Sequence, residues 1–130
     1  MNVLSKDIHD KNPEEIKARI KELEELQEDD MKNIEVLMEL SSCYRHIDEY
    51  GKAIKIHDAI ISIDPQNIDY LFMKGIVLVE SSRETEAIEI FDTIIEKNPK
   101  HRDALFNKGL ALKQLGKIKE SKEFMKKALK

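Results

Sequence analysis

Several residue types that stabilise small folds or build catalytic sites are scarce in this chain. Its 130 residues include one cysteine and no tryptophan, and aromatic residues make up 5% of the total. The single Cys43 excludes an intramolecular disulfide, and the N-terminal residues lack a hydrophobic signal region, so we expect a cytoplasmic protein. The longest apolar run, residues 76–79, is far shorter than the roughly 18 residues of a membrane span. We therefore predict no membrane association.

Motifs that carry chemistry are also missing. The sequence contains no phosphate-binding glycine loop, nucleophile elbow or zinc signature. The four histidines His9, His46, His57 and His101 lack the spacing of metal ligands, and we interpret both His57 and the unpaired Cys43 as core residues. Carboxylates are frequent only as charges on helix faces. We therefore predict no enzyme activity, no cofactor and no metal site.

A 34-residue period organises the chain from residue 34 onward. The segment 71–78, LFMKGIVL, has its counterpart in 105–112, LFNKGLAL, and Pro65 is likewise 34 residues from Pro99. Each period predicts two antiparallel helices. The first runs for about thirteen residues, and the second ends near the residue before the proline, because proline lacks an N–H and disfavours helical geometry in the residue before it.

Upstream of the repeats, Asn12 and Pro13 are typical of a helix start. They predict a helix over residues 13–28 whose apolar stripe contains Ile16, Ile20, Leu23 and Leu26. Asn33 and Asn67 are expected to cap the first helices of the first two repeats. The resulting division is an N-terminal segment 1–12, a leading helix 13–33, and repeats at 34–67, 68–101 and 102–130. Segment 1–12 has too little pattern to assign, and we leave open a mobile segment or one that folds back onto the repeats.

Small residues recur at two positions of the repeat. One position holds Ser41, Gly75 and Gly109, and a second, twelve residues later, holds Ala53, Ala87 and Ser121. Two helices approach closely where neither presents bulk, so we expect these two positions to face each other within each helix pair.

The order of residues within this unit resembles the tetratricopeptide repeat. The second unit carries the family's pattern at Leu71, Gly75, Leu78, Ala87, Phe91 and Pro99. The first unit departs from the pattern at His57, and the third at Ser121 and Met125. The resemblance implies an all-α fold, a right-handed α-solenoid of antiparallel helix pairs with about seven helices, that acts as a protein-binding scaffold.

The resemblance also implies that the first helix of each pair lines a concave groove. The predicted groove residues are Met38, Ser42, Arg45, Phe72, Met73, Ile76, Phe106, Asn107, Leu110 and Lys113. Because the strip is apolar, we expect it to bind an amphipathic helix or an extended apolar segment of a partner protein. The Lys, Asn and Arg clamp with which some members hold acidic chaperone tails is missing, which disfavours that partner. The alternatives are that these residues are ordinary core, or that segment 1–12 or a second copy, as in a homodimer, fills the groove.

Charge is abundant and unevenly distributed. Charged residues make up 37% of the chain; residues 1–101 carry 13 basic and 23 acidic side chains, whereas residues 102–130 carry 9 and 3. The lysines of the last repeat include Lys113, Lys117, Lys119, Lys122, Lys126, Lys127 and Lys130. They form either a solvated cap or a patch for an acidic partner or nucleic acid, and nucleic acid is disfavoured because no stacking aromatics are interleaved. Because Leu129 is apolar, end-to-end self-association is a further alternative.

Overall fold

The computed structural model describes residues 12–30 and 32–130, and these residues form seven α-helices. The helices are α1 (Pro13–Asp29), α2 (Ile34–His46), α3 (Tyr50–Ile63), α4 (Ile68–Glu80), α5 (Glu84–Lys97), α6 (Arg102–Gln114) and α7 (Ile118–Leu129). The all-α prediction of about seven helices is therefore confirmed. The predicted N-terminal segment lies, apart from Asn12, outside the described residues.

The helices are grouped into two compact units, with α1 to α3 in the first, which ends at Pro65, and α4 to α7 in the second, Gln66–Lys130. In the first unit α1 packs on α2, and α2 packs on α3. In the second unit α4 packs on α5, α5 on α6 and α6 on α7, and α4 also contacts α6. Within each unit, helices that follow one another in the chain are therefore neighbours in space, as expected for antiparallel helix pairs.

The leading helix α1 packs on α2 through most of its predicted stripe. Ile16, Ile20 and Leu23 are buried, whereas Leu26, the last residue of the stripe, is 47% exposed. On the edge of this contact, the Tyr44 hydroxyl donates a hydrogen bond of 2.8 Å to a carboxylate oxygen of Glu24. Burial, together with this carboxylate, raises the pKa of Tyr44 well above its ordinary value.

Asparagine side chains cap the N-termini of three helices, as the sequence predicts. Asn12 accepts from a backbone N–H of α1, Asn33 from one of α2 and Asn67 from two of α4. Each bond satisfies an N–H that has no partner within its helix. Helix α6 begins differently, because His101 Nδ1 accepts from the Ala104 N–H at 3.1 Å, a cap that the sequence did not suggest.

The turn after each first helix places one residue in the left-handed region of backbone conformation. These residues are Asp48 with φ 60°, Ser82 with φ 61° and Gly116 with φ 84°. The next residue donates back into the preceding helix; for example, Arg83 N–H bonds to Leu78 C=O at 2.8 Å. This is the Schellman arrangement, which favours glycine at the left-handed position.

Ser82→Gly should therefore stabilise the protein by about 0.5 to 1 kcal/mol in urea unfolding of the full chain, because an L-residue is strained at this backbone conformation. The matched control is Ser42→Gly, at a partly exposed site in the interior of α2. There glycine should destabilise by a similar amount, because it costs backbone entropy in a helix. Destabilisation at both positions would contradict the argument.

Within each helix pair, the small residue of the first helix faces a larger residue of the second. A Cβ on Gly75 would lie 2.6 Å from the Phe91 ring, and one on Gly109 would lie 2.8 Å from Met125 Cγ. The prediction that the two small positions face each other holds in the third pair, where Ser121 Oγ donates to Gly109 C=O at 2.6 Å. In the second pair the atoms nearest to Gly75 belong to Phe91 instead. The missing side chains of Gly75 and Gly109 make room for the larger partners.

The first pair replaces this contact with a polar one. Ser41 and His57 occupy the positions of Gly75 and Phe91, and Ser41 Oγ lies 2.6 Å from His57 Nε2. His57 is 1% exposed and Cys43 is fully buried, so both are core residues, as predicted.

Candidate protein-binding surface

The predicted groove residues are divided between the two units. Met38, Ser42 and Arg45 lie on α2 in the first unit, where all three are partly exposed. The other seven lie on α4 and α6, which contact each other in the second unit. We call these seven residues the α4–α6 face: Phe72, Met73, Ile76, Phe106, Asn107, Leu110 and Lys113.

The α4 side of this face is anchored by a partly buried phenylalanine. The Phe72 ring lies 5.9 Å from the Phe91 ring and 5.8 Å from the His101 ring, measured between centroids. Phe72 therefore packs against α5 and the start of α6, and for this residue the core alternative holds in part. Met73 and Ile76 are partly exposed.

The α6 side is the more exposed one. Phe106 is 45% exposed. Leu110 is partly exposed one turn later, and Lys113 is exposed in the following turn. These positions are spaced so that their side chains share one side of the helix. Asn107 Nδ2 donates to Asp103 C=O at 2.8 Å, so one N–H of its amide is bonded to its own helix.

Lys108, a residue of α6 outside this face, contacts both α5 and α7. Lys108 Nζ pairs with the Asp92 carboxylate of α5, and it also lies 4.0 Å from the centroid of the Phe124 ring of α7. Its side chain is only 15% exposed. The repeat pattern did not predict this role, and the one signal was that Lys108 lies at the repeat position of Lys74 within a mainly apolar segment. The contact holds α6, and with it Phe106 and Leu110, against its neighbours.

The α4–α6 face can bind a ligand by apolar contact, which buries the side chains of the face. Its side chains are apolar apart from one amide and one lysine. Elsewhere in the described part of the chain, no group of three or more His, Cys, Asp or Glu side chains is arranged to hold a metal ion. None of the seven described helices is long and apolar enough to cross a bilayer.

Comparison with known proteins agrees with the repeat pattern. Residues 103–130 match the family model described as tetratricopeptide repeat. A MamA structure titled "MamA MSR-1 C2" is 24% identical over 87% of this chain and 65% of its own, with a TM-score of 0.70. The chain therefore has the tetratricopeptide-repeat fold. The fold forms extended surfaces that bind other proteins in general, and it is typically non-catalytic.

Other MamA structures show the same tetratricopeptide-repeat fold. One titled "Crystal structure of MamA protein" is 26% identical over 88% of this chain and 62% of its own, with a TM-score of 0.73. MamA from Desulfovibrio magneticus RS-1 is 20% identical over 98% of this chain and 71% of its own, with a TM-score of 0.74. The chain thus spans about two thirds of the length of these proteins. The search of curated proteins found no match.

Proposed function

We propose that this tetratricopeptide-repeat protein binds an amphipathic helix of a partner protein on the α4–α6 face. The observation that carries the proposal is the apolar row of exposed Phe106 and partly exposed Leu110 on α6, with partly exposed Met73 and Ile76 on the contacting helix α4. Covering such a row removes apolar surface from water at a gain of roughly 25 cal/mol per Å².

The arrangement of α4 and α6 favours a helix as the bound segment. Two neighbouring helices, α4 and α6, present their apolar residues one turn apart, which is the spacing that an amphipathic helix can match. Phe72 and Lys108 hold these helices in place through contacts with α5 and α7. Methionine at position 73 adds an adaptable contact, since its side chain is flexible.

Charged residues near the two ends of α6 favour one orientation of the bound helix. Exposed Asp103 lies in the first turn of α6, and exposed Lys113 lies in its last turn. We therefore expect a basic group of the partner helix near Asp103 and an acidic group near Lys113. On α2, Met38, Ser42 and Arg45 remain candidate contacts at the equivalent repeat positions.

A display library of amphipathic helical peptides tests the proposal with the full chain. Selected peptides should bind Phe106→Glu about ten-fold or more weakly than wild type, a change of about 1.4 kcal/mol. Phe106 is the better test site than Phe72, because Phe72 also contacts Phe91 and His101. The matched control is Ile118→Glu, since Ile118 is 48% exposed but lies outside the face.

Two results would overturn the proposal. One is that the library yields no peptide that binds the wild-type chain. The other is that the selected peptides bind Phe106→Glu and Ile118→Glu with equal affinity. Sedimentation of the free protein accompanies the test, and a dimer dissociated by Phe106→Glu would assign the face to self-association instead.

A further inference from the structure

A pocket of the Gln66–Lys130 unit lies outside the α4–α6 face. It is a pocket of about 450 Å³ between the start of α6 and the end of α7. Four of its lining residues are basic: Lys100, Arg102, Lys127 and Lys130. Leu105 and Ala128 also line it, and both are buried, so they form an apolar floor. We call this feature the basic pocket.

The four cations lack carboxylate partners. Across residues 12–30 and 32–130, none of them takes part in an ion pair. Lys127 Nζ instead lies 4.7 Å from the centroid of the Phe124 ring, a cation–π contact that brings no negative charge. Positive groups gathered around one pocket repel each other, and a bound anion relieves that repulsion.

We propose that the basic pocket binds an acidic segment of a protein. Asp or Glu carboxylates of the segment pair with Lys100, Arg102, Lys127 and Lys130, and an apolar side chain between them covers Leu105 and Ala128. This site shares no residue with the α4–α6 face, so it is a further site rather than a refinement of the first. Only the folded chain forms it, because Lys100 and Lys127 are 27 positions apart in the sequence.

The lining of the pocket favours a peptide over a nucleic acid. No aromatic side chain lines it, so bases have no surface on which to stack. Its volume suits a few side chains, whereas a nucleic acid needs a groove that follows the phosphate backbone. The 9 basic and 3 acidic side chains of residues 102–130 add a longer-range attraction for acidic partners.

Fluorescence anisotropy with the full chain tests the basic pocket. The probe is a labelled peptide with the sequence EELEE, and the comparison probes are QQLQQ and a ten-nucleotide single-stranded RNA. We expect EELEE to bind, to bind less tightly as salt is raised, and to bind more tightly than either comparison probe. Lys100→Gln combined with Lys127→Gln should weaken EELEE binding about ten-fold.

The matched control removes the same charge elsewhere on the last repeat. Lys119 and Lys122 are exposed residues of α7 that do not line the pocket, so Lys119→Gln with Lys122→Gln should change EELEE affinity by about two-fold or less. Equal weakening by both double variants would show attraction by net charge alone and would overturn the proposal. Absence of EELEE binding, or tighter binding of the RNA, would also overturn it.

Discussion

Phe91→Ala should lower the free energy of unfolding by about 3 to 5 kcal/mol, the range for truncating a fully buried phenylalanine. The Phe91 side chain is 0% exposed, and its ring packs against Gly75 and the Phe72 ring, both on α4. Gly75 has no side chain that could move into the space, so the variant leaves a cavity between α4 and α5. Lost burial and the unfilled cavity both contribute to the cost.

Urea unfolding of the full chain, followed by circular dichroism, measures this change. Hydrogen exchange of backbone amides then locates it, and protection should fall first in α4 and α5. A loss below about 1.5 kcal/mol would contradict the tight enclosure of the ring seen in the structure.

Gly75→Ala probes the same contact from the opposite side. Alanine in a helix is ordinarily more stable than glycine by about 1 kcal/mol. Here the added Cβ would lie 2.6 Å from the buried Phe91 ring, so we expect a loss of about 1 to 3 kcal/mol instead. Gly51→Ala is the control, because a Cβ there meets no atom within 4 Å and should stabilise.

In the first helix pair, Ser41→Gly and His57→Phe should each destabilise the protein by about 2 to 3 kcal/mol, whereas the double variant should recover most of the loss. Ser41→Gly removes the hydroxyl that lies 2.6 Å from His57 Nε2 in the core. His57→Phe places a larger ring against Ser41, where the second pair has a glycine. The double variant reproduces the Gly75 and Phe91 contact.

A double-mutant cycle measures this compensation. We expect a coupling energy of about 2 kcal/mol or more between Ser41 and His57, within the range for directly contacting residues. Ser42→Gly supplies the control, because Ser42 is a partly exposed neighbour on the same helix and should show only the glycine cost of roughly 0.5 to 1 kcal/mol. Additive single changes would mean that the contact contributes no pairwise stabilisation.

Helix bounds could be predicted closely from local residues. The first helices α2, α4 and α6 each have thirteen residues, and α3 and α5 end two residues before Pro65 and Pro99. These features depend on chemistry within a few positions of the chain: a capping side chain at one end, and a proline at the other. Because the same pattern recurs in three repeats, most of the secondary structure could be predicted from the sequence.

The candidate binding site could be predicted only in outline. The repeat register predicted Phe106 and Leu110 as binding residues, and in the structure Phe106 is exposed and Leu110 is partly exposed. It gave Phe72 the same role, although its ring packs on Phe91 and His101. Register specifies the side of a helix on which a residue lies, whereas exposure depends on what the neighbouring helix places against it.

The sequence by itself determined that this is an all-α repeat protein and where its helices begin and end, because period, caps and prolines act locally. Only the tertiary structure decided that Phe91 fits against Gly75, that Lys108 joins Asp92 and Phe124, and which cations share the basic pocket. The contacts of Phe91 and Lys108 each span 16 positions of the chain, and the pocket brings together Lys100 and Lys127, which are 27 positions apart. They depend on how helices cross and on the volumes of facing side chains, and the repeat pattern specifies neither.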